Sequence, residues 1–300
     1  MIFCMRNTFL TLCLLVTSWT GTAAIPTAGF FLPDSVFEFS MHYKTINNLI
    51  ILPVTINDSV EVNLILDTGC RNMLLFGKRF ESIFRTSRAV EFSGLGSGAP
   101  VQGKLSLDNH VSIQAVTGKR IPIIIVPEKN IFSSLRNVHG IIGYEIFAKF
   151  EIELNFPRNL ITFRTAAYPT RSADFDYVDM KVVDSKPVLQ CTMTTGAGER
   201  TIDHLVIDTG SCLGLILSVD RKGYSSKPTA LGRGLNGVVN GEKVFTRKLK
   251  LKTFEFTDVV TSIVYSKNNY ASIGMDILKD HVVIINYSRS YVAFRKSTDS

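Results

Sequence analysis

Long apolar runs, cysteines and helical periodicity are all scarce in this chain of 300 residues. Beyond residue 24 no stretch approaches the roughly 20 apolar residues that a transmembrane helix needs, so no stable membrane insertion is predicted. Three of the five cysteines lie beyond that point: Cys70, Cys191 and Cys212. This small, odd number argues against a disulfide framework. We expect these three cysteines to be small buried packing residues rather than partners in a bond.

Several common kinds of active site lack the residues that they need. The five histidines are His42, His110, His139, His204 and His281. Their positions show no metal-ligand spacing, so neither a metal ion nor another cofactor is predicted. A serine nucleophile elbow is absent. Cys70 or Cys212 could be drawn with His204 as a thiol peptidase pair, but no pattern in the sequence brings them together.

The charge distribution argues against a nucleic acid partner. The net charge is +7, but the basic residues are scattered and no aromatic residues are interleaved with them. The densest basic run, residues 247–252, lies on an alternating strand. That run therefore predicts a solvated strand face.

The N-terminal residues have the composition of an export signal. Arg6 supplies positive charge, residues 9–16 are apolar, and Gly21-Thr22-Ala23-Ala24 is a small-residue cleavage site. We predict a signal peptide over residues 1–24 and an exported protein, periplasmic or secreted. Residues 25–35 are then either a short pro-segment or the beginning of the mature domain.

Two copies of one tripeptide carry the strongest signal in the chain. Asp67-Thr68-Gly69 and Asp208-Thr209-Gly210 lie 141 residues apart, and each directly follows an apolar run. An aspartate at the end of a buried strand is costly to keep without a purpose, because burial disfavours its charged form. Two such sites, one in each half, suggest two carboxylates that face each other and share a proton. This is the chemistry of an aspartic peptidase.

The repeat extends well beyond the tripeptides. Three pairs of segments recur at an offset of 131 residues: 141–147 with 272–278, 152–158 with 283–289, and 161–164 with 292–295. A glycine-rich segment also recurs, at residues 94–98 and 232–237. The second of these spells a dinucleotide-binding fingerprint, but no strand-to-helix context follows it. Because order and content match in both halves, the chain contains an internal duplication.

Alternating apolar and polar residues predict an all-β fold. Residues 37–43 and 249–256 have the period of two that is typical of strands with one polar face. The best helical candidates are short, near residues 144–149 and 275–279. Residues 165–180 break the pattern with Pro169 and small polar residues. We therefore predict lobes over residues 25–164 and 181–300, joined by a connection at 165–180.

The order of these motifs resembles that of the pepsin/retropepsin superfamily, and in particular the secreted retropepsin-like aspartyl peptidases of bacteria. The resemblance covers roughly residues 36–296 and implies a bilobal fold, with two duplicated β-barrel-like lobes and the active site between them. Asp67 and Asp208 would be the catalytic residues. The resemblance also implies that the hydroxyl groups of Thr68 and Thr209 each meet the backbone of the opposite loop.

The glycines have separate roles in the same pattern. Gly69 and Gly210 would allow a tight backbone approach beside the aspartates. Gly143 and Gly274 would let the preceding apolar strand pass close under each catalytic loop. By resemblance, the first glycine-rich segment is a flap that closes over bound peptide, and its glycines are Gly94, Gly96 and Gly98.

The sequence thus predicts an aspartic endopeptidase whose partner is a peptide or protein substrate. Water would be activated between the two aspartates, with no metal and no covalent intermediate. The chain should act as a monomer, because the duplication supplies both halves in one polypeptide. The alternative is a catalytically idle peptide-binding protein that has kept the fold. Retention of both aspartates favours the enzyme.

Overall fold

The structure, a computed structural model, describes residues 28–96, 98–127, 135, 137–165, 168–169, 172–220, 228–266 and 270–297. The signal peptide predicted over residues 1–24 lies outside these residues. Within the described ranges, no helix has the length and apolar character needed to cross a membrane.

The first half of the chain folds almost entirely into strands. These are β1 (Gly29–Phe31), β2 (Glu38–His42), β3 (Lys44–Ile46), β4 (Leu49–Ile56), β5 (Val60–Leu66), β6 (Met73–Phe76), β7 (Thr86–Phe92), β8 (Val101–Ile113), β9 (Val116–Val126), β10 (Gly140–Ile142), β11 (Phe150–Asn155) and β12 (Leu160–Thr165). Two short helices interrupt them, α1 (Lys78–Ile83) and α2 (Tyr144–Phe147).

The second half has the same character. Its strands are β13 (Asp176–Asp179), β14 (Lys181–Val183), β15 (Lys186–Thr195), β16 (Gly198–Ile207), β17 (Leu215–Val219), β18 (Thr229–Gly234), β19 (Gly237–Leu251), β20 (Phe254–Tyr265), β21 (Ala271–Ile273), β22 (His281–Asn286) and β23 (Tyr291–Lys296). Helix α3 (Met275–Leu278) lies between β21 and β22.

Each half contains a closed ring of strands. In the first, the neighbours run β4-β5-β10-β6-β9-β8 and return to β4. In the second, they run β15-β16-β21-β17-β20-β19 and return to β15. The parallel pairs also correspond, since β5 with β10 and β6 with β9 match β16 with β21 and β17 with β20. The predicted all-β fold with two barrel-like lobes is therefore confirmed.

The buried strands explain the apolar runs that precede the tripeptides. Strand β10 lies between β5 and β6, and all three of its residues are buried. Leu64, Ile65 and Leu66 at the end of β5 are also buried. A strand covered on both faces needs apolar side chains at successive positions rather than at alternate ones. This is why an apolar run, instead of an alternating pattern, leads to each aspartate.

A six-stranded sheet joins the two halves, in the order β13-β23-β22-β11-β12-β2. Its central pair, β11 and β22, places Ile152 opposite Ile285. Glu151 is completely buried in this sheet, where it accepts hydrogen bonds from Asn286 Nδ2 at 2.9 Å and from the Tyr291 hydroxyl. The Arg164 guanidinium lies 3.6 Å from the same carboxylate. The sheet thereby holds the lobes in one orientation.

Three local features of the structure differ from the predictions or were not predicted. The strand predicted over residues 249–256 is two strands, because β19 ends at Leu251 and β20 begins at Phe254. Lys252 in the turn has a φ of 57°. A two-residue turn preserves the period of two, so alternation alone does not reveal it. Residues 176–179 of the predicted connection form β13, which pairs with β23. Helix α1 was not predicted, since a six-residue helix carries too little periodicity.

The segment considered as a pro-segment contains β1. This strand pairs with β9 in the first sheet, and Phe30 is buried. Residues 29–31 are therefore part of the first lobe in this structure.

Candidate active site

The two aspartates occupy equivalent positions at the ends of equivalent strands. Asp67 follows β5 and Asp208 follows β16. The backbone amide of Asp67 donates to the carbonyl of Ile142, and that of Asp208 donates to the carbonyl of Ile273, both at 2.9 Å. The parallel neighbours β10 and β21 thus set the point at which each catalytic loop leaves its lobe.

Two threonines cross-link these loops beneath the carboxylates. The Thr68 hydroxyl donates to the carbonyl of Ile207 at 2.6 Å and accepts from the amide of Thr209 at 3.0 Å. Reciprocally, the Thr209 hydroxyl donates to the carbonyl of Leu66 at 2.8 Å and accepts from the amide of Thr68 at 3.1 Å. Both threonines are completely buried. The four bonds satisfy backbone groups that would otherwise be buried without partners.

The tripeptide glycines bring the carboxyl groups together. The amide of Gly69 donates to Asp67 Oδ1 at 2.6 Å, and the amide of Gly210 donates to Asp208 Oδ1 at 3.1 Å. A Cβ atom on Gly210 would lie 2.2 Å from Cγ of Asp67, and one on Gly69 would lie 2.9 Å from Oδ1 of Asp208. Each glycine therefore makes room for the aspartate of the other lobe. Asp67 and Asp208, called the dyad below, meet across the junction of the two lobes.

The second pair of glycines lies under the catalytic loops. A Cβ atom on Gly143 would lie 2.1 Å from the carbonyl oxygen of Cys70. One on Gly274 would lie 2.6 Å from the carbonyl oxygen of Ser211. A side chain at either position would push the loop away, so both glycines are needed for this close approach.

Burial and mutual repulsion shift the ionisation of the dyad. Burial raises the pKa of Asp67 well above its ordinary value, and the charge of Asp208 raises it further. Burial also raises the pKa of Asp208, but hydrogen bonds from Tyr270, the Gly210 amide and Asp67 oppose this shift. Two carboxyl groups this close cannot both ionise readily, so one keeps its proton. The dyad can thus present one acid and one base at the same time.

Two further residues at the dyad were missed in the sequence. The Tyr270 hydroxyl donates to Asp208 Oδ2 at 3.0 Å. Nζ of Lys186 lies 5.8 Å from the centre of the Tyr270 ring, and its positive charge lowers the pKa of both aspartates. Tyr270 directly precedes β21, at the place where the first copy of the repeat has His139. That difference between otherwise matching segments was the available signal.

The two glycine-rich segments form hairpins that meet. We call β7 and β8 with their connection the first hairpin, and β18 and β19 with theirs the second hairpin. The amide of Gly98 donates to the carbonyl of Asn236 at 2.7 Å, and Asn236 Nδ2 donates to the carbonyl of Gly98 at 3.1 Å. Gly94 lies against Leu235, since a Cβ atom there would be 2.8 Å from Cβ of Leu235. Gly96 lies against the backbone of residues 236 and 237.

The first hairpin also reaches the surroundings of the dyad. Its Leu95 packs against a cluster formed by Ile216, Val239 and Val264 of the second lobe. Tyr270 packs against the same cluster. The second segment is therefore a hairpin that partners the first, and the dinucleotide fingerprint in it does not lead into a helix.

The cysteines do not support a thiol nucleophile at Cys70. Cys70, Cys191 and Cys212 are all free. Cys70 and Cys191 are buried as expected, but Cys212 is exposed, because it follows the second tripeptide at the surface position that Arg71 occupies in the first copy. Burial raises the pKa of Cys70 well above its ordinary value, so this thiol stays protonated and is a poor nucleophile. His204 is exposed on β16.

Comparison with known proteins agrees with this geometry. Residues 52–146 match the family model described as aspartyl protease. This match covers about a third of the chain and supports a likeness to retropepsin-like aspartyl proteases. The matched segment contains Asp67, the glycines of the first hairpin and Gly143, whereas Asp208 lies outside it. No curated protein is significantly similar to the chain.

Proposed function

We propose that this protein is an aspartic endopeptidase that hydrolyses peptide bonds with water activated between Asp67 and Asp208. The observation that carries the proposal is the meeting of the dyad, in which each carboxyl group is held by the amide of its own glycine and faces the glycine of the other loop. The family match supports the first half of this site. The internal repeat and the equivalent strand ring support the second half.

The chemistry follows from the shared proton. The ionised member of the dyad takes a proton from water, which attacks the carbonyl carbon of the scissile peptide bond. The protonated member donates a hydrogen bond to the carbonyl oxygen, where negative charge develops. The tetrahedral intermediate then collapses as a proton passes to the leaving nitrogen. No covalent bond to the enzyme forms in any of these steps.

The hairpins define how a substrate would enter. In this structure their tips are joined by the Gly98 and Asn236 bonds and by packing of Leu95. A peptide would pass beneath them in an extended conformation, after the tips separate. We propose that the protein acts as a monomer, since both aspartates belong to one chain.

A cleavage assay tests the proposal. Wild type, Asp67→Asn, Asp208→Asn and the exposed control Asp34→Asn would each be incubated with a mixed peptide library from pH 3 to 8, and products would be identified by mass spectrometry. Each dyad variant should lose at least about a hundredfold in rate, because neither carboxyl group can be both acid and base. The control should cleave like wild type. Cleavage by either dyad variant at the wild-type rate would refute the mechanism.

The same variants separate an enzyme from an idle binding protein. Because the pKa of Asp67 is raised on folding, its ionisation costs stability as pH rises above the unfolded value. Asp67→Asn should therefore be at least as thermally stable as wild type at pH 7. Loss of cleavage in a stable variant assigns the defect to chemistry. A wild-type chain that binds peptides but never cleaves them would support the binding alternative.

The composition of the N-terminal residues bears on the cellular location of the protein. We propose export to the periplasm or outside the cell, on the basis of the composition of residues 1–24. Fractionation of cells expressing the full chain, with and without residues 2–24, tests this. Equal retention of both forms in the cytoplasm would contradict it.

A further inference from the structure

The internal repeat gives the two aspartates of the dyad closely similar surroundings. Each carboxyl group accepts a hydrogen bond from the amide of the glycine two residues further along the chain. Each aspartate amide donates to the carbonyl of the residue that precedes Gly143 or Gly274. Each also rests on the same threonine cross-link. Such symmetry does not decide which carboxyl group ionises and which keeps the proton.

Tyr270 breaks this symmetry. Its hydroxyl donates to Asp208 Oδ2 at 3.0 Å, on the oxygen that the Gly210 amide does not use. Its ring is fixed by packing against the cluster of Ile216, Val239 and Val264. Because a hydroxyl donor stabilises the ionised form of a carboxyl group, the bond favours negative charge on Asp208.

The first lobe has no matching donor at the equivalent position. The repeat offset of 131 residues places His139 where the second lobe has Tyr270. His139 is engaged within its own lobe, since its Nδ1 accepts from the amide of Asn63 at 3.0 Å. The two copies therefore diverge at a residue that one copy uses to contact its aspartate.

We propose that Tyr270 is a positioning residue that assigns the roles in the dyad, with Asp208 as the ionised base and Asp67 as the carrier of the proton. This inference rests on the proposed function for its catalytic meaning. The structural observation behind it is the hydrogen bond from the Tyr270 hydroxyl to Asp208, which Asp67 does not share.

Among the residues that the structure describes, the other charged and titratable groups around the dyad do not supply this asymmetry. Lys186 lowers the pKa of both aspartates. Burial raises the pKa values of Cys70 and Tyr287. The pKa of Cys212 is also raised, because its thiol is partly desolvated although the residue is exposed at the surface. All three groups are therefore neutral where the dyad titrates. Burial and the charge of Asp208 raise the pKa of Tyr270 itself well above its ordinary value. Tyr270 therefore remains a protonated donor throughout the range in which the carboxyl groups ionise.

Removal of the Tyr270 hydroxyl distinguishes the two possible assignments. The dyad titrates in two macroscopic steps, the first from two protons to one and the second from one to none. If Asp208 ionises first, Tyr270 stabilises every state after the first step, so Tyr270→Phe raises only the lower apparent pKa. If Asp67 ionises first, Tyr270→Phe raises only the upper one. A hydrogen bond to a charged group corresponds to a shift of about one pKa unit.

The direct experiment is a titration of the full chain labelled with ¹³C at the aspartate carboxyl carbons. Spectra of Asp67→Asn and Asp208→Asn assign the two resonances, and Tyr270→Phe is then compared with wild type. Tyr177→Phe, which removes a tyrosine hydroxyl from the six-stranded sheet, is the control. We expect Tyr270→Phe to raise the lower apparent pKa by about one unit. An unchanged lower step, or a shift confined to the upper step, would overturn the proposal.

Kinetics provide the second arm. In an active enzyme, the acidic limb of the kcat/KM profile should move by the same amount, with about a tenfold loss on that limb and an unmoved alkaline limb. A chain that shows the shift in the titration but never cleaves peptide would refute the proposed function while leaving the placement of Tyr270 intact. A chain that cleaves peptide with an unmoved acidic limb would refute the role of Tyr270 alone.

Discussion

Replacement of Thr68 by valine removes one hydroxyl that serves both catalytic loops. In the structure this hydroxyl donates to the carbonyl of Ile207 and accepts from the amide of Thr209. Valine keeps the branched shape of the side chain but can form neither bond. The variant therefore leaves one carbonyl and one amide of the opposite lobe without partners in a completely buried site.

The size of the effect follows from these two groups. A buried polar group left without a partner costs about 1 to 3 kcal/mol, so Thr68→Val, which leaves two, should lower the free energy of unfolding by about 2 to 6 kcal/mol. Thr209→Val should have a similar effect, because it removes the reciprocal pair of bonds. Urea unfolding followed by circular dichroism measures the loss. Thr201→Val, at an exposed position of β16, is the control and should change stability by less than about 0.5 kcal/mol.

Activity and stability should fall together in the Thr68 variant. The cross-link positions the backbone that carries both aspartates, so looser loops would misalign the dyad as well as weaken the fold. A loss of stability no larger than that of Thr201→Val would refute the reasoning. It would mean that water or a shifted backbone satisfies the carbonyl and the amide at little cost.

Three other perturbations test separate parts of the structure. Lys186→Gln should move both limbs of the pH–activity profile to higher pH, because Lys186 lowers the pKa of both members of the dyad. Limbs at the wild-type positions would contradict this. Asn236→Ala removes the side-chain hydrogen bond to the Gly98 carbonyl, so hydrogen exchange of the Gly98 amide should become roughly fivefold faster. An unchanged rate would show that contact between the hairpins does not depend on this side-chain bond. Arg164→Met should destabilise the protein by about 3 to 5 kcal/mol in urea unfolding, because it removes the guanidinium that lies 3.6 Å from the buried Glu151 carboxylate. Near-wild-type stability would show that the other contacts of Glu151 suffice.

Predictions from local sequence patterns failed at a turn, at one short strand and at one cysteine. The turn at Lys252 was hidden because a two-residue hairpin continues the alternation of its strands. Strand β13 was assigned to the connection, because residues 176–179 pair only with the distant β23 and have a polar composition of their own. Cys212 was expected to be buried, although the loop that carries it turns toward the surface. Of these three cases, only β13 is determined by a long-range contact, its pairing with β23.

The sequence by itself determined the all-β class, the duplication and the identity of the two aspartates that meet. It could do so because each of these features repeats, and a repeated strand pattern must fold in the same way twice. Only the tertiary structure placed Tyr270 and Lys186 beside the dyad and joined Gly98 to Asn236. Those contacts involve residues that differ between the two copies and lie far apart along the chain. No period or spacing encodes them, because each contact depends on where the folded strands and loops place one particular side chain or amide.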